Sequence, residues 1–280
     1  MVEPRIAIAF SVNDPAAGGA IRELLELSAS ERIACKHATS CWILEEKVRV
    51  AGFNEDSVKL EYLDESPDPS AEAVIVVSRH RAASGRKALT VHHVGNPTGK
   101  TLGGEPNRLG VSFPLLASSL LIEYEREAER TGIRGEYEIS LEATHHGPTG
   151  IRKPVVFIEI GSTPEEWKDK RAQRALALTL INHLEKSIQL SCEEAAAFGG
   201  SHYPSKFTSL VLRGEYCIGH IISKHAFNEG VTEEIIIEAM EKTYPRKPGK
   251  ALIEKKSLKS AQRKMLTQIL ERIGAKIIYI

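Results

Sequence analysis

The chain has 280 residues, 42% hydrophobic and 26% charged, enough to bury one large α/β core or two smaller ones. Thirty-seven Lys and Arg against 37 Asp and Glu exclude a self-repelling disordered chain, and 21 Gly with 13 Pro exclude a collagen-like or proline-rich one. No run approaches the roughly 18 apolar residues of a membrane span, and MVEPRIAIAFSVNDP lacks a basic segment before a signal-type apolar run, so a cytoplasmic protein without membrane contact is expected.

Arg5 to Val12 is short and almost wholly apolar, as in a buried strand; NDPAAGG then turns into AIRELLELSAS, whose apolar residues recur at helical spacing. WILEEKVRV and SVKLEYL alternate like strands, AVIVVSRH is a β-branched run, and ALTVHH follows as a further strand. Pro114 to Arg130 opens with proline at a first helical position and becomes acidic, predicting a helix with its apolar stripe inward and its glutamates in water. EYEISLEATHHGPTG and KPVVFIEIGSTPEEW each read as a strand entering a Gly/Pro loop, and Ser162 or Thr163 caps a long helix reaching about Lys186. CEEAAAF reads as helical, FGGSHYPSKF as a loop, and TSLVLRG and EYCIGHIIS as short strands. Helices return in TEEIIIEAMEKT and LKSAQRKMLTQILERIG, the second ending at Gly274, and AKIIYI is a final strand. This alternation predicts an α/β fold with a mixed, mainly parallel sheet flanked by helices, residues 1–280 forming one elaborated domain. Cys35, Cys41, Cys192 and Cys217 form no CxxC pair and are expected to be reduced, mostly buried thiols.

The balanced charge conceals an asymmetry: the segment 245–280 carries ten Lys and Arg against two acids, a net of +8 that the rest of the chain offsets. A basic end on an acidic body suits contact with a polyanion, although a solvated helix face has the same composition.

Five histidines, His92, His93, His145, His146 and His202, sit where apolar runs give way to glycine and proline. Loops at strand ends of an α/β sheet converge on one crevice, so VHHVGNPTGK, SLEATHHGPTG and FGGSHYPSKF can build a shared site in which imidazoles move protons or bind metal. Adjacent histidines on an extended strand point to opposite faces, so each pair offers one ligand to a given ion unless the strand is bent. A zinc site would use one histidine from each loop, with Glu142 as a further ligand; a metal-free site with one imidazole orienting water remains the alternative. GNPTGKT is not a phosphate-binding loop, since three residues separate Gly95 from Gly99 where the motif needs four. Lys100 is a candidate phosphate or carboxylate contact, His80 is a weaker site candidate, and His37, His183, His220 and His225 read as structural.

Taken in order, SRH at 78–80, VHHVGNPTG at 91–99, EATHHGPTG at 142–150, FIEIGSTPEEW at 157–167 and GGSHYPSKFT at 199–208 resemble the archaeal and plant type of D-aminoacyl-tRNA deacylase. The family's motif positions fall on His80, His92, His93, Gly95, Asn96, Thr144, His145, His146, Gly147, Gly161, Gly200, His202 and Tyr203; Ser201 departs from it where a third glycine is expected. The resemblance implies an α/β architecture similar to phosphorylases and peptidyl-tRNA hydrolase, association with zinc, and hydrolysis of the ester joining a D-amino acid to tRNA, a chirality-proofreading reaction.

On that basis His93 or His146 is expected to activate water, directly or through zinc held by His93, His146 and His202. Asn96 and loop N–H groups would hold the carbonyl oxygen, while His202 positions the terminal ribose or shares the metal. Substrate contacts are expected from His92, Gly95, Lys100, Thr144, His145, Gly147, Gly200 and Tyr203. Lys255, Lys256 and Lys259 would meet acceptor-stem phosphates. No protein partner is evident. A small-molecule hydrolase or phosphorylase on a similar fold would keep the histidine loops without needing the basic segment. A non-catalytic RNA-binding protein would survive loss of the histidines, but 6% aromatic content without a clustered stacking motif argues against it.

Overall fold

The computed structural model describes residues 4–185 and 190–280. Strand β1 (Ile6–Ser11) is buried at every position, and Asp14 caps α1 (Pro15–Leu27) by accepting from the N–H groups of Ala16 and Ala17. An antiparallel edge follows in β2 (Ser30–Arg32), β3 (Ser40–Leu44) and β4 (Val48–Phe53). Then come β5 (Ala73–Arg79), β6 (Ala88–His93), a short pair β7 (Gly95–Asn96) and β8 (Arg108–Leu109), helix α2 (Pro114–Arg130), β9 (Glu138–Leu141) and β10 (Val155–Gly161). The remaining elements are α3 (Pro164–Trp167), α4 (Lys170–Glu185), β11 (Glu193–Phe198), α5 (Ser205–Leu212), β12 (Tyr216–Ile222), α6 (Lys224–Glu229), α7 (Glu233–Glu241), β13 (Lys250–Ile253), α8 (Ser260–Arg272) and β14 (Lys276–Tyr279).

Eight strands lie in the order β2-β3-β4-β1-β5-β10-β6-β9, with β4, β1, β5 and β10 mutually parallel and β6 running against β10. A second sheet, β12-β11-β13-β14, is parallel throughout. The mixed, mainly parallel α/β architecture is therefore present, divided between two sheets. Helix α2 joins them: Leu116, Leu120, Leu121 and Tyr124 share one apolar cluster with Val91 and Ile158 of the first sheet and Ala195, Ile218 and Ile221 of the second. No helix among the described residues is long and apolar enough to cross a membrane.

Several local expectations are corrected. The Ala-rich CEEAAAF is strand β11, not helix, because it is enclosed between β12 and β13 with Ala195, Ala196 and Ala197 wholly buried, and tertiary packing overrides alanine's helix preference. TSLVLRG belongs to α5, whose Phe207, Thr208, Leu210 and Val211 form its buried side, and SVKLEYL holds only a single 3-10 turn at Ser57–Lys59. The long helix after Thr163 breaks into α3 and α4, and its expected end near Lys186 lies outside the described residues. On α2, Glu123 and Glu127 are buried rather than in water; Arg126 pairs with the first, and Arg130 and Asn182 with the second. The cysteines are not reduced thiols: Cys35 pairs with Cys41 and Cys192 with Cys217, at Cα separations of 5.8 and 5.6 Å that suit a disulfide.

Because α2 carries the contact between sheets, Leu120→Ala should cost about 2–5 kcal/mol. Urea denaturation should show a lower midpoint with an unchanged slope; an unchanged midpoint would mean that α2 is not the shared core.

Candidate active site

Four chain segments end at one place. Strand β5 delivers His80, β10 carries Glu159, β6 carries His92, and β9 runs on into Glu142, His145 and His146. The register sets Glu159 opposite Ser78 and Thr90, and Phe157 opposite His92, so with a side-chain period of two these groups share one face of the sheet. The second sheet contributes the loop after β11, which brings His202 and Tyr203 alongside: Ala143 N–H donates to His202 O at 2.8 Å, and Thr144 N–H to Ile221 O at 2.9 Å.

At the centre are two fully buried carboxylates. His80 Nδ1 lies 3.2 Å from Glu142 Oε1 and 3.3 Å from Glu159 Oε2, and its Nε2 lies 2.7 Å from the Tyr203 hydroxyl. Burial alone would lower the His80 pKa, but the two carboxylates outweigh it and raise the value to about 10. The carboxylates in turn are held ionised despite burial, Glu142 by His202 and His80, and Glu159 by His80 and His92. Glu142 Oε2 accepts from His202 Nε2–H at 2.7 Å, and Ser78 Oγ donates to Glu159 Oε1. Trp167 Nε1–H, on the short helix that Thr163 caps, donates to His80 O at 2.8 Å and props this histidine from behind.

Around this core, three imidazoles are oriented alike. His92 Nδ1 lies 3.1 Å from His93 O, His145 Nδ1 is 2.9 Å from Ala143 O, and His146 Nδ1 is 2.7 Å from Gly147 O. A carbonyl only accepts, so each Nδ1 holds a proton, and where burial keeps the ring neutral, at His145 and His146, Nε2 is bare. Burial pushes the His145 pKa well down and that of His146 to about 4, whereas Glu159 more than offsets burial at His92 and raises it. Ligand atoms of His92, His145 and His146 lie within 4.8 Å of one another, as do those of Glu142, His145 and His202. His92 Nε2 and Glu142 Oε1 are buried with no hydrogen bond of good geometry. His146 adopts a positive φ of 44°, a conformation uncommon outside glycine and costly unless its surroundings fix it; here Gly95 N–H holds its carbonyl at 2.7 Å. His202 and His145, with side chains 39% and 30% exposed, open the cluster to solvent.

Several expected site residues lie elsewhere. His93 is on the opposite face of β6, accepting from Phe113 N–H on Nε2 at 3.0 Å and donating from Nδ1 to Gly219 O at 3.1 Å, so neither nitrogen is left for water or metal. Asn96 spends its amide N–H groups on Gly103 O and Glu105 O, bracing the 97–107 loop rather than holding a substrate oxygen. The N–H groups of Gly95, Gly147 and Gly200 are likewise engaged, by His146 O, Leu102 O and Ser257 Oγ. Lys100 pairs with Glu229 at 2.6 Å, and the Thr144 hydroxyl meets His220 Nδ1. His146, His202, His92, His145 and Tyr203 do come together, and His80 is central to them. Glu159 was missed by the sequence pattern, although a lone carboxylate in the apolar run VVFIEIG signals a buried charge that needs a partner. Lys255, Lys256 and Lys259 have no carboxylate partner among the described residues, and Lys255 Nζ lies 5.7 Å from the Tyr279 ring.

Comparison with known proteins gives the family. Residues 67–278 match the D-aminoacyl-tRNA deacylase family. The chain is 49% identical over 279 residues to the D-aminoacyl-tRNA deacylase of Aeropyrum pernix, covering 99% of this chain and 100% of that protein. It is 38% identical over 275 residues to that of Staphylothermus marinus, covering 98% of each. The crystal structure of a conserved protein of unknown function superposes with a TM-score of 0.87 at 26% identity, covering 99% of this chain and 95% of the other.

The His80 pairing predicts a pH dependence of stability. Its folded pKa of about 10 exceeds the unfolded value of 6.5, so its contribution is complete below pH 6.5 and is lost as pH rises through about 10. In metal-free protein the denaturation midpoint should fall from pH 7 to 10, and His80→Gln should flatten that fall. An equal decline in both proteins would refute the pairing.

Proposed function

The chain belongs to the D-aminoacyl-tRNA deacylase family, and from that premise we propose that the buried histidine and carboxylate cluster is where it hydrolyses the ester joining a D-amino acid to the 3′ end of tRNA. The observation that carries this assignment is the arrangement of His92, His145 and His146, each tied through Nδ1 to a backbone carbonyl and clustered beside the Glu142–His202 pair. The reaction belongs in the cytoplasm, where aminoacyl-tRNA is made and used.

The same three rings fit zinc. Nitrogen donors whose far side is fixed by a backbone carbonyl are the usual setting of zinc-binding histidines, and the unsatisfied His92 Nε2 is what such a group looks like without its ion. Zinc held by His92, His145 and His146 would supply a water of lowered pKa and polarise the ester carbonyl. The chain's own groups then have distinct tasks. His202 donates Nε2–H to ionised Glu142, which leaves Nδ1 as the nitrogen that takes a proton, and its exposure puts it at the substrate's entrance. Protonated His80 donates to the Tyr203 oxygen, freeing the phenolic O–H to bond an ester oxygen; burial raises the Tyr203 pKa, so the phenol keeps its proton. Lys255, Lys256 and Lys259, without a carboxylate partner among the described residues, offer cations to the acceptor-end phosphates.

Purified protein should release D-tyrosine from D-tyrosyl-tRNA in preference to L-tyrosine from L-tyrosyl-tRNA, chelation should abolish release and added zinc should restore it. Selective release untouched by chelation would remove zinc from the account, and no release from either tRNA would refute the assignment. His92→Ala or His146→Ala should lower kcat/KM by about 100-fold or more. His93→Ala, which strands Phe113 N–H and Gly219 O, should cost about 1–3 kcal/mol of stability with activity per folded molecule retained. Equal activity losses in His92→Ala and His93→Ala would contradict the division of faces. Reversing charge at Lys255, Lys256 and Lys259 should weaken tRNA affinity and flatten its salt dependence; an unaltered salt slope would exclude this turn from the RNA surface.

A further inference from the structure

The basic turn and the catalytic loop are joined through one hydroxyl. Ser257 sits in the 3-10 turn Lys255–Ser257, with Lys255 and Lys256 before it and Lys259 after it, and its Oγ accepts from Gly200 N–H at 2.8 Å while donating to Glu254 O at 2.8 Å. Gly199 and Gly200, with φ of 99° and 74°, let the loop lie flat on this turn: a Cβ on Gly199 would come 2.4 Å from Ser257 Oγ and 3.1 Å from Glu254 O. Two residues on, His202 is bonded to Ala143 N–H and Glu142, and Tyr203 to His80 and, through its carbonyl, to Ser201 Oγ. The loop also answers to the second sheet, since Gly199 N–H donates to Ile222 O and Gly200 O accepts from Lys224 N–H.

We infer that Ser257 is a positioning residue that passes phosphate engagement at Lys255, Lys256 and Lys259 to the Gly199–Tyr203 loop, so that a tRNA end docked on the turn sets His202 and Tyr203 for the reaction. The inference rests on the deacylase assignment. Binding energy from the non-reacting part of a substrate raises turnover only when it improves geometry at the reacting centre, and a misplacement of about 1 Å there costs on the order of 100-fold. A turn whose central hydroxyl is held at both ends transmits its position to Gly200. A flexible lysine patch without this link would contribute affinity alone.

The test compares D-tyrosyl-tRNA with the D-tyrosyl ester of adenosine, which has the reacting ester but no phosphate. In the unaltered enzyme, kcat should be about 10-fold higher on the tRNA, the signature of remote binding energy spent on turnover. Ser257→Ala should lower kcat on tRNA by about 10-fold with little change in KM, and on the adenosine ester by less than about 2-fold. Ser257→Thr, which keeps the hydroxyl, should restore the advantage of the tRNA. Lys255→Glu with Lys256→Glu should raise KM and also erase the kcat advantage. Equal losses on both substrates in Ser257→Ala would make Ser257 merely structural, and an undiminished tRNA advantage would break the link. Absence of D-tyrosine release from tRNA by the unaltered enzyme would refute the deacylase assignment itself.

Discussion

Two ionised carboxylates are buried together, and the site is organised by the need to satisfy them. Leaving one such charge unpaired costs about 3–5 kcal/mol, so Glu142 and Glu159 can remain inside only with cationic or donating partners on every side. His80 stands between them as an imidazolium, Ser78 and His92 attend Glu159, and His202 donates to Glu142. Each partner is thereby held in one orientation. The arrangement resembles a carboxylate-oriented histidine used twice, with the inner copy fixing Tyr203 and the outer one facing solvent.

Such a cluster needs strand ends from both sheets. Glu159 and His80 come from adjacent parallel strands, His92 from the antiparallel strand on the other side of Glu159, and His202 from the second sheet. Helix α2 keeps the sheets in contact, and backbone hydrogen bonds from Ala143 and Thr144 close the gap between them. Packing far from the chemistry thus sets the distance from Glu142 to His202, and the Ser257 turn adds an attachment on the outer side of the same loop.

Much of this was legible in the sequence. The three histidine loops after apolar runs converge because strands in an α/β sheet end on a common crevice; alternation of faces does separate His92 from His93, but the positive φ at His146 turns the chain so that His145 and His146 both lie beside His92. Which member of the pair at 92 and 93 faces inward depends on register against β10, a non-local fact the local pattern does not contain, and His93 was chosen where His92 is the one in place. The glycine loops suggested N–H groups free for an oxyanion, but those amides close loops instead, which is why the proposed reaction assigns that contact to Tyr203. His80 read as a weaker candidate and Glu159 was passed over, and both matter because each is buried against the other. Ala195 to Ala197 show the same limit in the fold: their helix preference is outweighed by two neighbouring strands far away in sequence.

The protonation pattern is the most direct test, through nitrogen-detected NMR of the imidazole rings in metal-free protein at pH 7. The account predicts His80 protonated on both nitrogens, and His145 and His146 protonated on Nδ1 only, with Nε2 bare. A singly protonated His80, or Nε2–H tautomers at His145 and His146, would contradict it: the carboxylate pair would then lack its cation, and the ring nitrogens would not be available to metal.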